Sequence, residues 1–179
     1  MTTHALANDY KSLYINGSWH TSSTGQHLDI VNPADETVIG RAPAGAAADI
    51  EAAVGAARAA FDVRGEGSWA SWTCSQRAAL LRKLGAEVAA RKDKLALLET
   101  LDTGKPLPES DWDVDDVAGC FEFYAEQCEL LEKRQCQSVD LPDDEYTAQL
   151  AWEPVGVVGA IIPYVACTRT YMYRCSFYR

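Results

Sequence analysis

The sequence predicts an α/β chain, and three features carry that expectation. An Asn-Gly pair, Asn16-Gly17, sits between short apolar runs. Apolar residues recur at spacings of three and four through residues 50–61 and again through residues 80–88. Finally, Glu153-Pro154 leads into a run of Val, Gly and Ile through Ile162, which reads as a buried strand opening an α/β unit.

Leu13-Tyr14-Ile15 and Trp19-His20 flank Asn16-Gly17-Ser18. Asn and Gly both accept the positive φ of a tight turn, so this segment reads as a hairpin. Residues 28–31 form a strand that the turn Asn32-Pro33-Ala34 ends. Asp49 can cap a helix whose apolar positions are Ile50, Ala53, Val54, Ala57 and Phe61. A second helix follows Thr73, with Leu80, Leu81, Leu84 and Val88 inward and Arg77, Arg82, Lys83, Glu87 and Arg91 outward. Residues 94–101 continue helically to Gly104-Lys105-Pro106, where the glycine suits a left-handed C-terminal position and the proline stops the helix. A long helix spans residues 109–133, and residues 146–152 form an extended strand after a loop. Gly156 and Gly159 lack the spacing of a phosphate loop opening a helix and read as close-packing positions in the final strand.

Composition narrows the partners. The formal charge of −10 leaves no basic stripe able to neutralise phosphates, which argues against nucleic acid. No segment approaches the roughly 18 apolar residues of a membrane span. The first residues carry neither an apolar signal core nor an arginine-rich transit pattern, so the expected location is cytoplasmic. Six cysteines show no CxxC and read as free thiols. His4, His20 and His27 have no ligand spacing with them. Charge shifts sharply near the end: residues 1–163 hold all 26 acids, whereas residues 164–179 hold three arginines and no acid.

Two acidic placements suggest binding. On a helix, Trp112 and Asp116 are four apart and Asp113 and Asp116 three apart, so they are neighbours on one face. An indole face with nearby carboxylates attracts an ammonium or quaternary ammonium group, the ring alone contributing ~0.5–2 kcal/mol. The alternative is that Asp111, Asp113, Asp115 and Asp116 favour the positive end of a helix dipole. Asp102, two residues before Gly104, opposes the dipole and invites a counter-cation, or else pairs with a lysine such as Lys105.

From Tyr14 to Pro163 the chain resembles the aldehyde dehydrogenase superfamily. The landmarks are Tyr14-Ile15-Asn16-Gly17 with Trp19, Asn32-Pro33-Ala34, the alanine-rich helix ending at Ala60-Phe61, Glu99-Thr100-Leu101-Asp102-Thr103-Gly104-Lys105-Pro106, and Glu153-Pro154-Val155-Gly156-Val157-Val158-Gly159. The segment Trp112-Asp113-Val114-Asp115-Asp116-Val117-Ala118-Gly119-Cys120-Phe121 is similar to the betaine aldehyde and aminoaldehyde dehydrogenase branch, particularly plant-type enzymes.

The resemblance implies the N-terminal part of that fold: helices, oligomerisation-type strands and an incomplete Rossmann-like parallel sheet. It divides the chain into residues 1–135 (hairpin and helical part of the NAD-binding domain), 136–152 (oligomerisation-type strand segment), 153–163 (first strand of the dinucleotide-binding sheet) and a non-family tail, 164–179. It implies that Trp112, Asp113 and Asp116 line a substrate entrance for a small cationic aldehyde. Ile161, Ile162 and Pro163 match the edge that meets NAD(P). The carboxylate of Asp102 and the carbonyl of Val31 match a site for a monovalent cation, potassium or sodium. Val165 stands where the family places an oxyanion-stabilising asparagine, and Trp152 where this branch commonly has arginine.

The family's chemistry adds a cysteine thiolate to the aldehyde, passes hydride to the nicotinamide and releases the acid with a general-base glutamate. No residue of this chain matches the nucleophile or the base; Cys128 and Cys136 follow glutamines in an echo of the nucleophile's context, but acids surround them. The expectation is therefore the N-terminal portion of an NAD(P)-dependent dehydrogenase, inactive by itself, whose full-length form is a homo-oligomer. The other reading is a non-catalytic, truncated subunit that pairs with full-length enzyme through residues 137–152. A C-terminal peroxisomal signal on a full-length form stays open.

Overall fold

A computed structural model describes residues 12–61, 69–143 and 145–161. Its elements run β1 (Leu13–Ile15), β2 (Ser18–His20), β3 (His27–Val31), β4 (Val38–Pro43), α1 (Ala47–Ala60), a single 3-10 turn (Trp69–Ser71), α2 (Cys74–Ala90), α3 (Lys92–Thr103), α4 (Leu107–Lys133), β5 (Gln137–Val139) and β6 (Ala148–Leu150). The strands form three separate antiparallel pairs, β1–β2, β3–β4 and β5–β6.

Local chemistry explains the boundaries. Ile15 pairs with Ser18 across Asn16 (φ 51°) and Gly17 (φ 78°), the two positive-φ positions expected of the hairpin. Thr73 caps α2: its hydroxyl accepts from the Gln76 amide at 3.2 Å, and the Gln76 carboxamide accepts from the Thr73 amide at 2.9 Å. Gly104 closes α3 in the left-handed region (φ 76°), its amide donating to the Thr100 carbonyl at 2.9 Å. An alanine there would place its Cβ 2.8 Å from Pro33 Cγ, so the glycine also lets the Asn32-Pro33 turn reach the end of α3.

Helix α4 packs against α2 and α3. Cys74, Ala78, Ala125 and Cys128 form a buried cluster with Leu81 against it, and Val114, Val117, Cys120 and Phe121 are buried further along α4. Gly85 permits the approach: an added Cβ would lie 3.2 Å from both the Ala118 carbonyl oxygen and Phe121 Cβ. Arg82 reinforces the register with a fork onto Glu129 (2.6 and 3.1 Å) and a bond to Glu122 (2.9 Å).

Several expectations need correction. Asp49 is not the N-cap of α1; Ala46 is, and Asp49 sits three residues in, accepting from the Ala46 amide at 2.8 Å. Leu84 is exposed, because the tight α2–α4 contact runs through the small residues Ala78 and Gly85. Strand β4 lies where no strand was expected, and the strand anticipated over residues 146–152 spans only Ala148–Leu150. Residues 151–161 form no strand: no ladder among the described residues includes them, and the Trp152 amide and carbonyl bond the Gln135 side chain at 2.8 and 2.9 Å instead of a neighbouring strand. No parallel pair occurs among the described residues. Gly156 (φ 105°) and Gly159 have nothing within 4 Å of a built Cβ, so they are not close-packing positions.

Candidate functional site at the α3–α4 corner

The α3–α4 connection is a short turn through Gly104, Lys105 and Pro106, polar on its inner side. Thr103 Oγ1 donates to the Glu99 carbonyl at 2.7 Å. Thr100 and the fully buried Ser110 join their hydroxyls at 2.8 Å, tying the last turns of α3 to the first of α4. Lys105 folds back into this corner, its Nζ donating to Glu99 Oε1 at 2.7 Å and also to Asp113 Oδ2. The side chains of Lys105, Glu99 and Asp113 are only 17%, 3% and 14% exposed. Burial by itself would lower the Lys105 pKa, but the hydrogen bonds to Asp113 and Glu99 outweigh it and hold the ammonium above its ordinary range.

Helical geometry then divides the acidic segment. Asp113 follows Ser110 by three residues and precedes Val117 by four, so it belongs to the inward side of α4, where both are buried. Trp112 is rotated away from it and 73% exposed, with Asp116 one turn on, exposed on the same side. Asp115 bonds Lys92 Nζ at 2.7 Å. Of the three residues expected to line an entrance, the structure places Trp112 and Asp116 on the outer face and gives Asp113 to Lys105. The lysine and Glu99 are site residues that sequence reasoning missed. Only the helix period hinted at Asp113's inward turn, and the period does not name a partner.

Asp102 is exposed on the last turn of α3, and the alternative pairing with Lys105 is not seen, because Lys105 bonds Glu99 and Asp113. Val31 ends β3 at an irregularity: the ladder shifts register between Ile30 and Val31, which pairs with Val38. The contact of Gly104 with Pro33 brings these two chain regions to the same end of α3. Among the described residues, no three His, Cys, Asp or Glu side chains group as metal ligands.

Of the expected dinucleotide edge, Ile161 is 85% exposed, and Ile162 and Pro163 lie outside the described residues. Neither Gly156 nor Gly159 opens a helix, so the described residues supply no amide cradle for a pyrophosphate and do not by themselves fit the cofactor. Cys74, Cys120 and Cys128 are buried free thiols, and Cys136 is an exposed one just after α4. Arg77 reaches into the buried pair, donating from Nη2 to Cys74 Sγ at 3.3 Å.

Comparison with known proteins matches residues 19–171 to the model of the aldehyde dehydrogenase family. The chain belongs to that family. It is 46% identical over 154 residues to aminoaldehyde dehydrogenase 2 of Zea mays, covering 86% of this chain and 30% of the relative. To the aminoaldehyde dehydrogenase 2 of Pisum sativum, named as peroxisomal, it is 42% identical, with 86% and 31% covered. Among solved structures, the betaine aldehyde dehydrogenase of Staphylococcus aureus in complex with NAD+ superposes with a TM-score of 0.87 at 32% identity, over 97% of this chain and 33% of the other. The chain thus spans about a third of the length of these relatives.

Proposed function

We propose that this chain is the N-terminal portion of an NAD(P)-dependent dehydrogenase that oxidises betaine aldehyde or ω-aminoaldehydes to the acid, and that α4 presents the surface first met by the substrate's cationic end. The observation that carries the proposal is Trp112, an exposed indole one helical turn from Asp116. Such a face attracts an ammonium or trimethylammonium group through the ring quadrupole and charge. The relatives named for aminoaldehydes and betaine aldehyde support the same substrate chemistry.

Its residues contribute recognition and scaffolding rather than chemistry. The three thiols within or capped against the helical core are buried, and Cys136 follows a segment rich in glutamate, a poor setting for a thiolate. The hydride acceptor would be NAD(P), and Ile161, Ile162 and Pro163 are proposed to meet it along one edge. The Asp102 carboxylate and Val31 carbonyl are proposed to hold a potassium or sodium ion near the end of α3. The pea relative is named as peroxisomal, so that destination joins the cytoplasm as a proposal for the longer protein.

The purified 179-residue chain, given betaine aldehyde or aminobutyraldehyde with NAD+, is expected to form no NADH. Aldehyde-dependent NADH formation that scales with chain concentration and survives removal of contaminating enzyme would contradict this.

A second reading is favoured by one observation. Val139, Leu141, Tyr146, Leu150, Trp152 and Val155 are exposed along β5, β6 and the residues around them. A non-catalytic chain carrying this surface could pair with full-length dehydrogenase subunits and modulate them. Failure to co-purify with a co-expressed full-length relative would remove that reading.

A further inference from the structure

We propose that Cys74 and Cys128 are a peroxide-responsive pair: Cys74, activated by the charge of Arg77, reacts first, and Cys128 resolves it to a disulfide that staples α2 to α4. The proposal goes beyond the dehydrogenase reading and depends on no part of it.

The packing places the two thiols together. Cys74, Ala78 and Leu81 share one face of α2, and Ala125 and Cys128 share one face of α4; the five residues meet in a single cluster, with Cys74 7% and Cys128 0% exposed. Helices α2 and α4 meet again where Gly85 lies against Ala118 and Phe121. Both cysteines are about three turns from that contact, back along α2 and forward along α4. Facing positions on helices that meet through Ala and Gly approach closely, which suits the span of about 4.4–6.8 Å between the Cα atoms of a disulfide.

Arg77 supplies the charge. Its Nη2 donates to Cys74 Sγ at 3.3 Å and its Nη1 to the Trp72 carbonyl at 2.7 Å, so the guanidinium is held against the sulfur. Burial by itself would lower the Arg77 pKa, but its hydrogen bonds to Cys74 and Cys128 outweigh burial and raise it. Cys74 is also the first residue of α2, where the helix amides leave partial positive charge. A guanidinium and a helix start are surroundings that favour the nucleophilic thiolate. Cys128 lies well inside α4 and lacks the helix start, so it is the resolving partner.

The reaction balances with hydrogen peroxide as the oxidant. The Cys74 sulfur gives its proton to water and attacks one peroxide oxygen. An S–O bond forms, the O–O bond breaks, and hydroxide leaves and takes up a proton. The Cys128 sulfur then attacks Cys74 Sγ, forming S–S and breaking S–O, and the second hydroxide takes up the Cys128 proton. Two thiols lose two electrons and two protons, and one peroxide becomes two waters.

The test treats the folded full chain with hydrogen peroxide, blocks the remaining thiols and digests at glutamate, which separates Cys120 from Cys128 at Glu122 and Glu126. Mass spectrometry should find the Cys74 peptide joined to the Cys128 peptide, and dithiothreitol should part them. The joined chain should unfold at a urea midpoint higher by about 1 M, a shift that Cys74→Ser and Cys128→Ser both lack. Arg77→Met should slow joining about five-fold, the effect of removing one charge roughly 4 Å away in water, and Arg77→Lys should keep the wild-type rate. The exposed Cys136 gauges how far oxidation has gone. Full oxidation of Cys136 without joining, joining of Cys74 to a different cysteine, joining only in urea, or equal rates in wild type and Arg77→Met would each overturn the proposal.

Discussion

Asp49 holds the start of α1 against the loop after β2. It accepts from the Ala46 amide at 2.8 Å, the Ser23 amide at 3.0 Å and the Ser23 hydroxyl at 3.0 Å, with the Ser22 hydroxyl at 3.4 Å. The Ala46 bond is the largest cause holding its carboxyl below the ordinary value of 3.8; burial opposes this and the serine bonds add to it. A depressed carboxyl stabilises the fold above the unfolded-state pKa, and that contribution is lost as pH falls through the folded-state pKa. Asp49→Asn should therefore lower the thermal midpoint at neutral pH, with the difference from wild type shrinking as pH drops below about 4. A difference that is constant with pH would refute the role assigned to Asp49.

Single residues also show what a sequence reveals. Asn16-Gly17, Thr73 and Gly104 are legible because their conformational or capping preference is local. The partnership of Asp113 with Lys105 is not, since it depends on how two helices meet across a turn. Asp49 falls between: its acidic character at the helix start is readable, but its serine donors come from a loop more than twenty residues earlier.

At the scale of elements, the helices are legible from apolar spacing, whereas the strands are less so. Strand β4 contains Gly40 and ends at Pro43, which hide it from a propensity reading even though β3 pairs with it along its length. The apolar run beginning at Val155 has strand composition but joins no sheet among the described residues. The inward face of α2 was assigned to large leucines, yet close helix packing selects Ala78 and Gly85.

Two glycines allow an element-scale test. Gly17→Ala and Gly104→Ala each force a non-glycine residue into positive φ, costing about 1–2 kcal/mol. Only Gly104→Ala also drives a methyl group to 2.8 Å from Pro33 Cγ, whereas Gly17 has open space. Urea denaturation should show the larger loss for Gly104→Ala, and Pro33→Ala should relieve part of it. Equal losses would mean that the Asn32-Pro33 turn does not rest on α3.

For the whole molecule, family membership and a TM-score of 0.87 show that the chain shares the fold of the corresponding part of much longer aldehyde dehydrogenases. The helical core of α2, α3 and α4 gives that arrangement local support, while α1 contributes no buried residue and residues 151–161 join no strand ladder among the described residues. The exposed Trp152, Val155 and Ile161 should make the isolated chain associate as concentration rises. Sedimentation velocity would show this as a shift to larger species, and a monomer at every concentration would argue against an interaction surface there.

The most direct measurement replaces the corresponding segment of the Zea mays aminoaldehyde dehydrogenase with residues 13–161 of this chain and follows NADH formation. We expect the folded chimera to oxidise cationic aldehydes, and Trp112→Ala within it to raise KM about 3–30-fold with little change in kcat, as loss of a cation–π contact of ~0.5–2 kcal/mol requires. A folded chimera that forms no NADH, or one whose KM is indifferent to Trp112→Ala, would contradict the assignment of these residues to a cationic-aldehyde dehydrogenase.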